Sequence, residues 1–235
     1  MKKYLKTYGI LTLLAVGILG IPGIVADRHI EQRYVQAAKD SLPKTVLVYT
    51  TVVVENPFTM EIETHTVMGA GVFITSSGHV LTCGHLFRFK EINDIRIKTH
   101  SGIVIKAELL GKDHTKDLAL LKIDKYTPDF AELASNVQVG QEVIAIGQPL
   151  GIEWSVTHGI ISYVGRDFGP MMNVTQSDAF ILKGNSGGPL FNLNGDLVGI
   201  NSFMIPPVDA PIFAGLGFSV SPTEITDFLR KYRGL

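Results

Sequence analysis

From Pro43 onward the sequence breaks into short runs of β-branched and aliphatic residues separated by turn signals, and few folds accept that pattern. The runs are Thr45–Val54, Thr64–Thr75, His79–Thr82, Asp94–Thr99, Val104–Gly111 and Leu118–Ile123. A second set follows at Glu142–Gly147, Ser155–Val164, Met172–Gln176, Pro189–Asn192, Leu197–Phe203 and Leu216–Val220. Two sets of about six short strands are what two packed antiparallel barrels need. The expected class is therefore all-β, with a first barrel over 45–123, a crossover over 124–138 containing Pro128, and a second barrel over 139–221. Gly69 and Gly71 predict a bend or bulge in the second strand. Ser221-Pro222-Thr223-Glu224 has the pattern of a capped helix start, so a short C-terminal helix is expected over 222–233, running through Tyr232.

Residues 184–190, Gly-Asn-Ser-Gly-Gly-Pro-Leu, crowd three glycines and a proline around one serine. Glycine permits a left-handed backbone and close approach, as a tight loop presenting a nucleophile requires. The N–H groups of such a loop can converge on one spot and stabilise an oxyanion. The same composition also describes an ordinary turn, so the reading depends on a base and a carboxylate elsewhere. Seven histidines are present. His85, in Thr82-Cys83-Gly84-His85, stands where a strand ends at small residues, so its side chain can enter a cleft. Asp117 opens the apolar run Leu118-Ala119-Leu120-Leu121, where a partly desolvated carboxylate can accept a hydrogen bond from an imidazole; Asp113 reads better as a turn cap. The chain order His85, Asp117, Ser186 is that of chymotrypsin-type proteases and the reverse of α/β-hydrolases.

On further motifs the chain resembles the HtrA/Deg family of trypsin-like serine proteases. Gln176-Ser177-Asp178-Ala179 followed by the Ser186 heptapeptide is similar to that family's nucleophile segment. Val139 to Gly151 resembles its VGxxVxAIGxPxG strand and turn, Val156-Thr157-His158-Gly159-Ile160-Ile161-Ser162 its VTxGIVS strand, Asp117 to Ile123 its DLAvLKI, and Gly215 to Val220 its GIGFAIP closing strand. The match runs from about residue 42 to the C-terminus. It implies a chymotrypsin-like pair of barrels and a His85, Asp117, Ser186 triad. It also implies an oxyanion hole from the N–H groups of Gly184 and Ser186, and a substrate wall at Phe180, Ile181, Leu182, Lys183, Asn201, Ser202, Phe203 and Gly217. Phe180, Ile181 and Leu182 offer no acid, so a basic side chain entering there would be buried unpaired, at high cost; small or medium aliphatic side chains are expected instead. A homotrimer is a further expectation from the resemblance alone. The chain departs from the pattern at Lys183, where the family usually has proline, and in the short stretch after the last strand, which leaves no room for the PDZ domain the family usually carries.

Composition narrows the partners. Net charge is −1, and Lys2, Lys3 and Lys6 are the only charges in the first 26 residues, so the body is more acidic still. That excludes the electrostatic footprint of a nucleic-acid binder. No phosphate-binding loop, no HExxH and a single cysteine leave no cofactor and no metal site to expect. Cys83 cannot form an internal disulfide, so the fold must rest on its apolar core. The cysteine itself is either a small buried hydrophobe or an oxidation-sensitive thiol near the site.

The three lysines followed by the uncharged run Gly9–Ala26 form an export signal. They place the body outside the cytoplasm, periplasmic or at the cell surface. The run is just long enough to span a membrane; a retained anchor is favoured over a peptide cleaved near Ala26, with Pro22-Gly23 breaking the helix before that point. Residues 27–44 are expected to form a short spacer helix ended by Pro43. The function expected is a serine endopeptidase acting on polypeptides, most simply unfolded or damaged extracytoplasmic proteins. The alternative is a protease fold used as a binding module with its triad idle, and an esterase using the same chemistry ranks third.

Overall fold

The computed structural model describes residues 22–55, 58, 60–124, 126–169, 171–205 and 216–232. The chain divides into two compact units, one ending at Gln36 and one running from Ala37 to Leu235. Most of the basic and apolar N-terminal run lies outside the described residues. Among the described residues no helix is long and apolar enough to cross a membrane. Helix α1 spans Pro22–Ser41. It starts earlier than the spacer helix expected from sequence, proline being well tolerated at the first position of a helix. Pro43 does mark its end: Leu42–Lys44 tightens into a 3-10 turn that hands the chain to the first strand.

The body is two closed antiparallel barrels of six strands each, as the sequence led us to expect. The first contains β1 (Thr45–Glu55), β2 (Ile62–Phe73), β3 (His79–Thr82), β4 (Glu91–Thr99), β5 (Val104–Asp113) and β6 (Leu118–Ile123), in the order β1-β2-β3-β6-β5-β4. The second contains β7 (Glu142–Gly147), β8 (Ser155–Phe168), β9 (Met171–Ser177), β10 (Pro189–Asn192), β11 (Leu197–Met204) and β12 (Gly217–Val220), in the order β10-β11-β12-β9-β8-β7. Closure removes the unpaired edges that an open sheet of this length would expose. β3, β6, β10 and β12 are short and almost wholly buried, which is why they read as continuous apolar runs rather than alternating ones.

Two details differ from the sequence expectation. β2 pairs with β1 in unbroken register from Ile62 to Val72, so Gly69 and Gly71 make no bulge there. Gly69 serves close approach instead: a Cβ on it would stand 2.5 Å from Leu86 Cδ1 and 2.8 Å from the Ser186 carbonyl oxygen. β8 runs on past Val164 to Phe168, forming a longer hairpin with β9 that is pinned where the Asn173 N–H donates to Asp167 Oδ1 over 2.9 Å.

The crossover bonds to both barrels. The Ala131 N–H donates to the Phe73 carbonyl, while on the second barrel's side the Ala134 N–H donates to the Leu197 carbonyl and the Leu197 N–H to the Glu132 carbonyl. In the second barrel Val143, Ala145, Ile161, Leu190 and Val198 form a buried cluster with Ala134 and Ala179. Helix α2 (Pro222–Leu229) begins at Ser221, whose hydroxyl accepts from the Glu224 N–H, and buries Ile225 and Phe228. It stops at Leu229 rather than continuing to Tyr232. Lys116 is ion-paired to Glu224 and, over 3.0 Å, to Asp227, and Lys231 meets Asp113 at 2.9 Å. Both contacts clamp the helix onto the turn that precedes β6.

Candidate active site

That turn presents Asp117. Asp113 caps it, its Oδ1 accepting the N–H groups of Thr115 and Lys116, as expected of a turn cap. Asp117 then takes a left-handed backbone, φ 53°, a conformation that Asp tolerates better than most residues and that places its carboxylate back toward β3. Across from it, β3 ends at Thr82 and Gly84–Phe87 forms a 3-10 turn. The first turn N–H groups lack intrahelical partners, and that of His85 donates to Asp117 Oδ1 over 2.7 Å. The same residue is gripped a second time through its ring, with Nδ1 at 2.9 Å from Oδ2 and 3.1 Å from Oδ1.

Asp117 is nearly enclosed, its side chain 12% exposed against 37% for His85. Burial pushes its carboxyl pKa up, but the hydrogen bond and charge of His85, the Ser202 hydroxyl and the His85 N–H together outweigh that and hold it below the ordinary value. An ionised carboxylate only accepts, so His85 carries a proton on Nδ1, and in the neutral ring the free lone pair is then on Nε2. The Ser202 hydroxyl supplies the third donor, at 2.5 Å from Oδ2.

Ser186 sits in the second barrel's loop before β10. Its hydroxyl donates to the carbonyl of Ser202 over 3.4 Å; among the described residues no hydrogen bond joins it to the ring of His85. Without substrate such bonds are often long or turned aside. Ser202 thus faces Asp117 with its side chain and Ser186 with its backbone.

The loop's peptide planes are fixed by their carbonyls. The Leu150 N–H donates to the Lys183 carbonyl and the Gly188 N–H to the Asn185 carbonyl, both at 2.9 Å. In a trans peptide the N–H points opposite to its carbonyl, so the N–H groups of Gly184 and Ser186 face away from those bonds. Gly184 has φ +104°, and a Cβ there would lie 2.1 Å from the Gln148 carbonyl oxygen, so only glycine fits. The turn that supplies Leu150 is itself tied to the first barrel, with Gln148 Nε2 donating to the Gly69 carbonyl over 2.6 Å.

The remaining wall residues fall into two kinds. Phe180 is partly exposed and its carbonyl accepts from Thr157 and Asn185, so the Asn185 side chain braces that wall. Ile181 is buried and packs against Gly217, Leu182 is half-buried, and Phe203 stacks on Phe218 with ring centroids 4.8 Å apart. Asn201 is fully buried, its amide on the Pro189 carbonyl and its Oδ1 on the Ser219 hydroxyl, so its side chain braces the barrel. Lys183 is exposed and lines a cavity of about 470 Å³ with His85, Gly184 and Ser186. The far wall of that cavity comes from Met68, Arg88, Phe89 and Leu150, which the sequence reading did not single out.

Cys83, His85 and Asp117 place three potential metal donors within 4.8 Å of one another. These groups are bonded to one another and to the backbone, His85 Nδ1 lying 2.9 Å from Asp117 Oδ2. Burial first, then the charge of Asp117, pushes the Cys83 thiol well up. The thiol donates to the Asn201 carbonyl at 3.1 Å. The site brings together a serine hydroxyl, an imidazole, a buried carboxylate and the backbone N–H groups of Gly184 and Ser186.

Comparison with known proteins identifies the family. The family described as trypsin-like peptidase domain matches residues 69–200. A probable periplasmic serine endoprotease, DegP-like, from Rhizobium meliloti (strain 1021) is 39% identical over 165 residues, covering 68% of this chain and 32% of that protein. The serine endoprotease DegS of Haemophilus influenzae (strain ATCC 51907 / DSM 11121 / KW20 / Rd) is 38% identical over 170 residues, 70% of this chain and 49% of that one. The chain therefore spans a third to a half of the length of these relatives. A solved HtrA-type protease, AlgW with decapeptide, superposes with a TM-score of 0.74 at 28% identity, over 84% of this chain and 66% of the other.

Proposed function

We propose, for a chain that belongs to the HtrA-type branch of the trypsin-like peptidase family, that it is a serine endopeptidase. In this reading Ser186 Oγ attacks the peptide carbonyl and His85 Nε2 takes its proton. His85 later returns the proton to the leaving amine, while Asp117 holds the tautomer and stabilises the imidazolium. The N–H groups of Gly184 and Ser186 receive the oxyanion, each such donor being worth about 3 kcal/mol in the transition state. The observation that carries the reading is the double grip of Asp117 on His85, through its backbone N–H and through Nδ1, which assigns the neutral ring's lone pair to Nε2 beside the cavity that Ser186 lines.

Substrates are polypeptides, with small or medium aliphatic residues before the cleaved bond, because Phe180, Ile181 and Leu182 give a charged side chain no counter-ion. Mapping of cleavage sites in an unfolded protein tests this; predominant cleavage after Arg or Lys sinks it. Relatives named periplasmic and the basic, apolar N-terminus support an extracytoplasmic location. Retention by that N-terminus in the membrane is read from fractionation, and a homotrimer from light scattering.

One observation favours a second reading, a resting or idle site: the Ser186 hydroxyl is engaged by Ser202 rather than by His85. Labelling by a serine-directed fluorophosphonate, compared with Ser186→Ala, separates the two. Labelling that needs Ser186 supports the peptidase, and a folded protein that takes no label supports the idle module.

A further inference from the structure

The cavity beside His85 has an origin that the catalytic residues do not explain. The wall at Phe180–Leu182 and Phe203 stands apart from it, since none of those residues lines it. It opens instead among Arg88 and Phe89, just beyond the His85 turn, Met68 on β2 and Leu150 on the turn after β7. In acyl transfer the general acid must stand next to the departing nitrogen, so the His85 side of Ser186 is the side on which the leaving half of the substrate lies. Its volume, about 470 Å³, is that of a ligand pocket.

Its chemistry is one-sided. Phe89 is half-buried and Met68 and Leu150 are exposed, so the floor is apolar. Arg88 and Lys183 stand on it from opposite barrels, both solvent-accessible. No Asp or Glu lines the cavity, and among the described residues neither cation has an ion pair. Arg88 has only the face of its neighbour Phe89, 5.7 Å from the ring centroid. The body as a whole is acidic, so two unpaired cations at the mouth of one cavity are not a general property of the surface.

We propose that this cavity is a specificity subsite for the leaving half of the substrate and that it takes a carboxylate between Arg88 and Lys183. The carboxylate comes either from an Asp or Glu side chain shortly after the cleaved bond or from the chain's own C-terminus. The proposal rests on the peptidase reading above. A planar guanidinium can grip a carboxylate in two places, and the apolar floor accepts the methylenes that carry it.

Internally quenched peptides that differ only in the second residue after the cleaved bond (Glu, Gln or Lys) test it, with kcat/KM ratios taken within each protein so that a general loss of activity cancels. Exposed ion pairs are modest, up to about five-fold each. At low salt the wild type is expected to prefer Glu over Gln by about five-fold or more, and the preference is expected to shrink at about 0.5 M salt as screening sets in. Arg88→Glu is expected to turn the preference toward Lys. Arg88→Gln and Lys183→Gln should each reduce it, which keeps the test open if the charge reversal does not fold. A Gln peptide ending in a free carboxylate at that place, compared with its amide, tells a chain end from a side chain. Equal cleavage of the three peptides by the wild type, or a Glu preference that survives both neutral variants, overturns the proposal while leaving the peptidase intact. No cleavage of any peptide, together with no labelling of Ser186, overturns both.

Discussion

The hydroxyl of Ser202 donates to Oδ2 of Asp117 over 2.5 Å, across the boundary between the two barrels. The carbonyl of the same residue receives the Ser186 hydroxyl at 3.4 Å. One residue on β11 therefore touches both the carboxylate that orients the base and the group proposed as nucleophile.

Removing that hydroxyl with Ser202→Ala leaves Asp117 with two donors, both from His85. A hydrogen bond to a charged group contributes about 1.5–3 kcal/mol. The variant is expected to lose about ten-fold to a hundred-fold in kcat with a smaller change in KM, read by steady-state kinetics on a peptide substrate. An unchanged kcat would mean that His85 alone sets the carboxylate.

The Asp117 carboxyl titrates below its ordinary value of 3.8. A depressed folded-state pKa adds stability that is complete above the unfolded value and is lost as pH falls through the folded one. Denaturant unfolding between about pH 6 and pH 3 should therefore show stability falling on acidification, and Asp117→Asn should flatten that fall. A variant with the same acid slope as the wild type would place the linkage elsewhere, Asp113 being the other depressed carboxyl in the turn.

Gly184→Ala puts a Cβ 2.1 Å from the Gln148 carbonyl oxygen at a backbone with φ +104°. The Lys183–Gly184 peptide must then move. The expected outcome is a loss of about a hundred-fold or more in kcat, the scale of one lost oxyanion donor, with a lowered Tm. Full activity in this variant would remove the Gly184 N–H from the mechanism.

Cys83 is fully buried and its thiol is pushed well above the ordinary value by burial and then by Asp117. Native protein should react with a thiol reagent only at the rate of unfolding, and fully in denaturant. Fast modification of the native state would instead support the oxidation-sensitive reading of this residue.

Much of this was legible in the sequence, and the reasons are physical. Leu118–Ile123 and Pro189–Asn192 are buried on both faces and stand out as apolar runs. His85 stands where β3 gives way to small residues, and Asp117 and Ser186 stand in the turns that lead into β6 and β10. Contacts between distant segments were not legible. Ser202 had no signal for its bond to a carboxylate 85 residues away, and nothing in Met68, Arg88 or Phe89 announced that β2 and the His85 turn wall a cavity with Lys183. The strand expected to end at Val164 runs on to Phe168, where Asp167 is bonded across the hairpin to Asn173.

The central claim is that Ser186, activated by His85 and Asp117, is a nucleophile. The most direct measurement is fluorophosphonate labelling followed by mass spectrometry of the labelled peptide, in wild type, Ser186→Ala and His85→Ala. A label on Ser186 of the wild type, with none in the first variant and at least a hundred-fold slower labelling in the second, roughly the scale of lost general-base catalysis, is the predicted result. A folded wild type that takes no label, or takes it on another residue, would contradict the account.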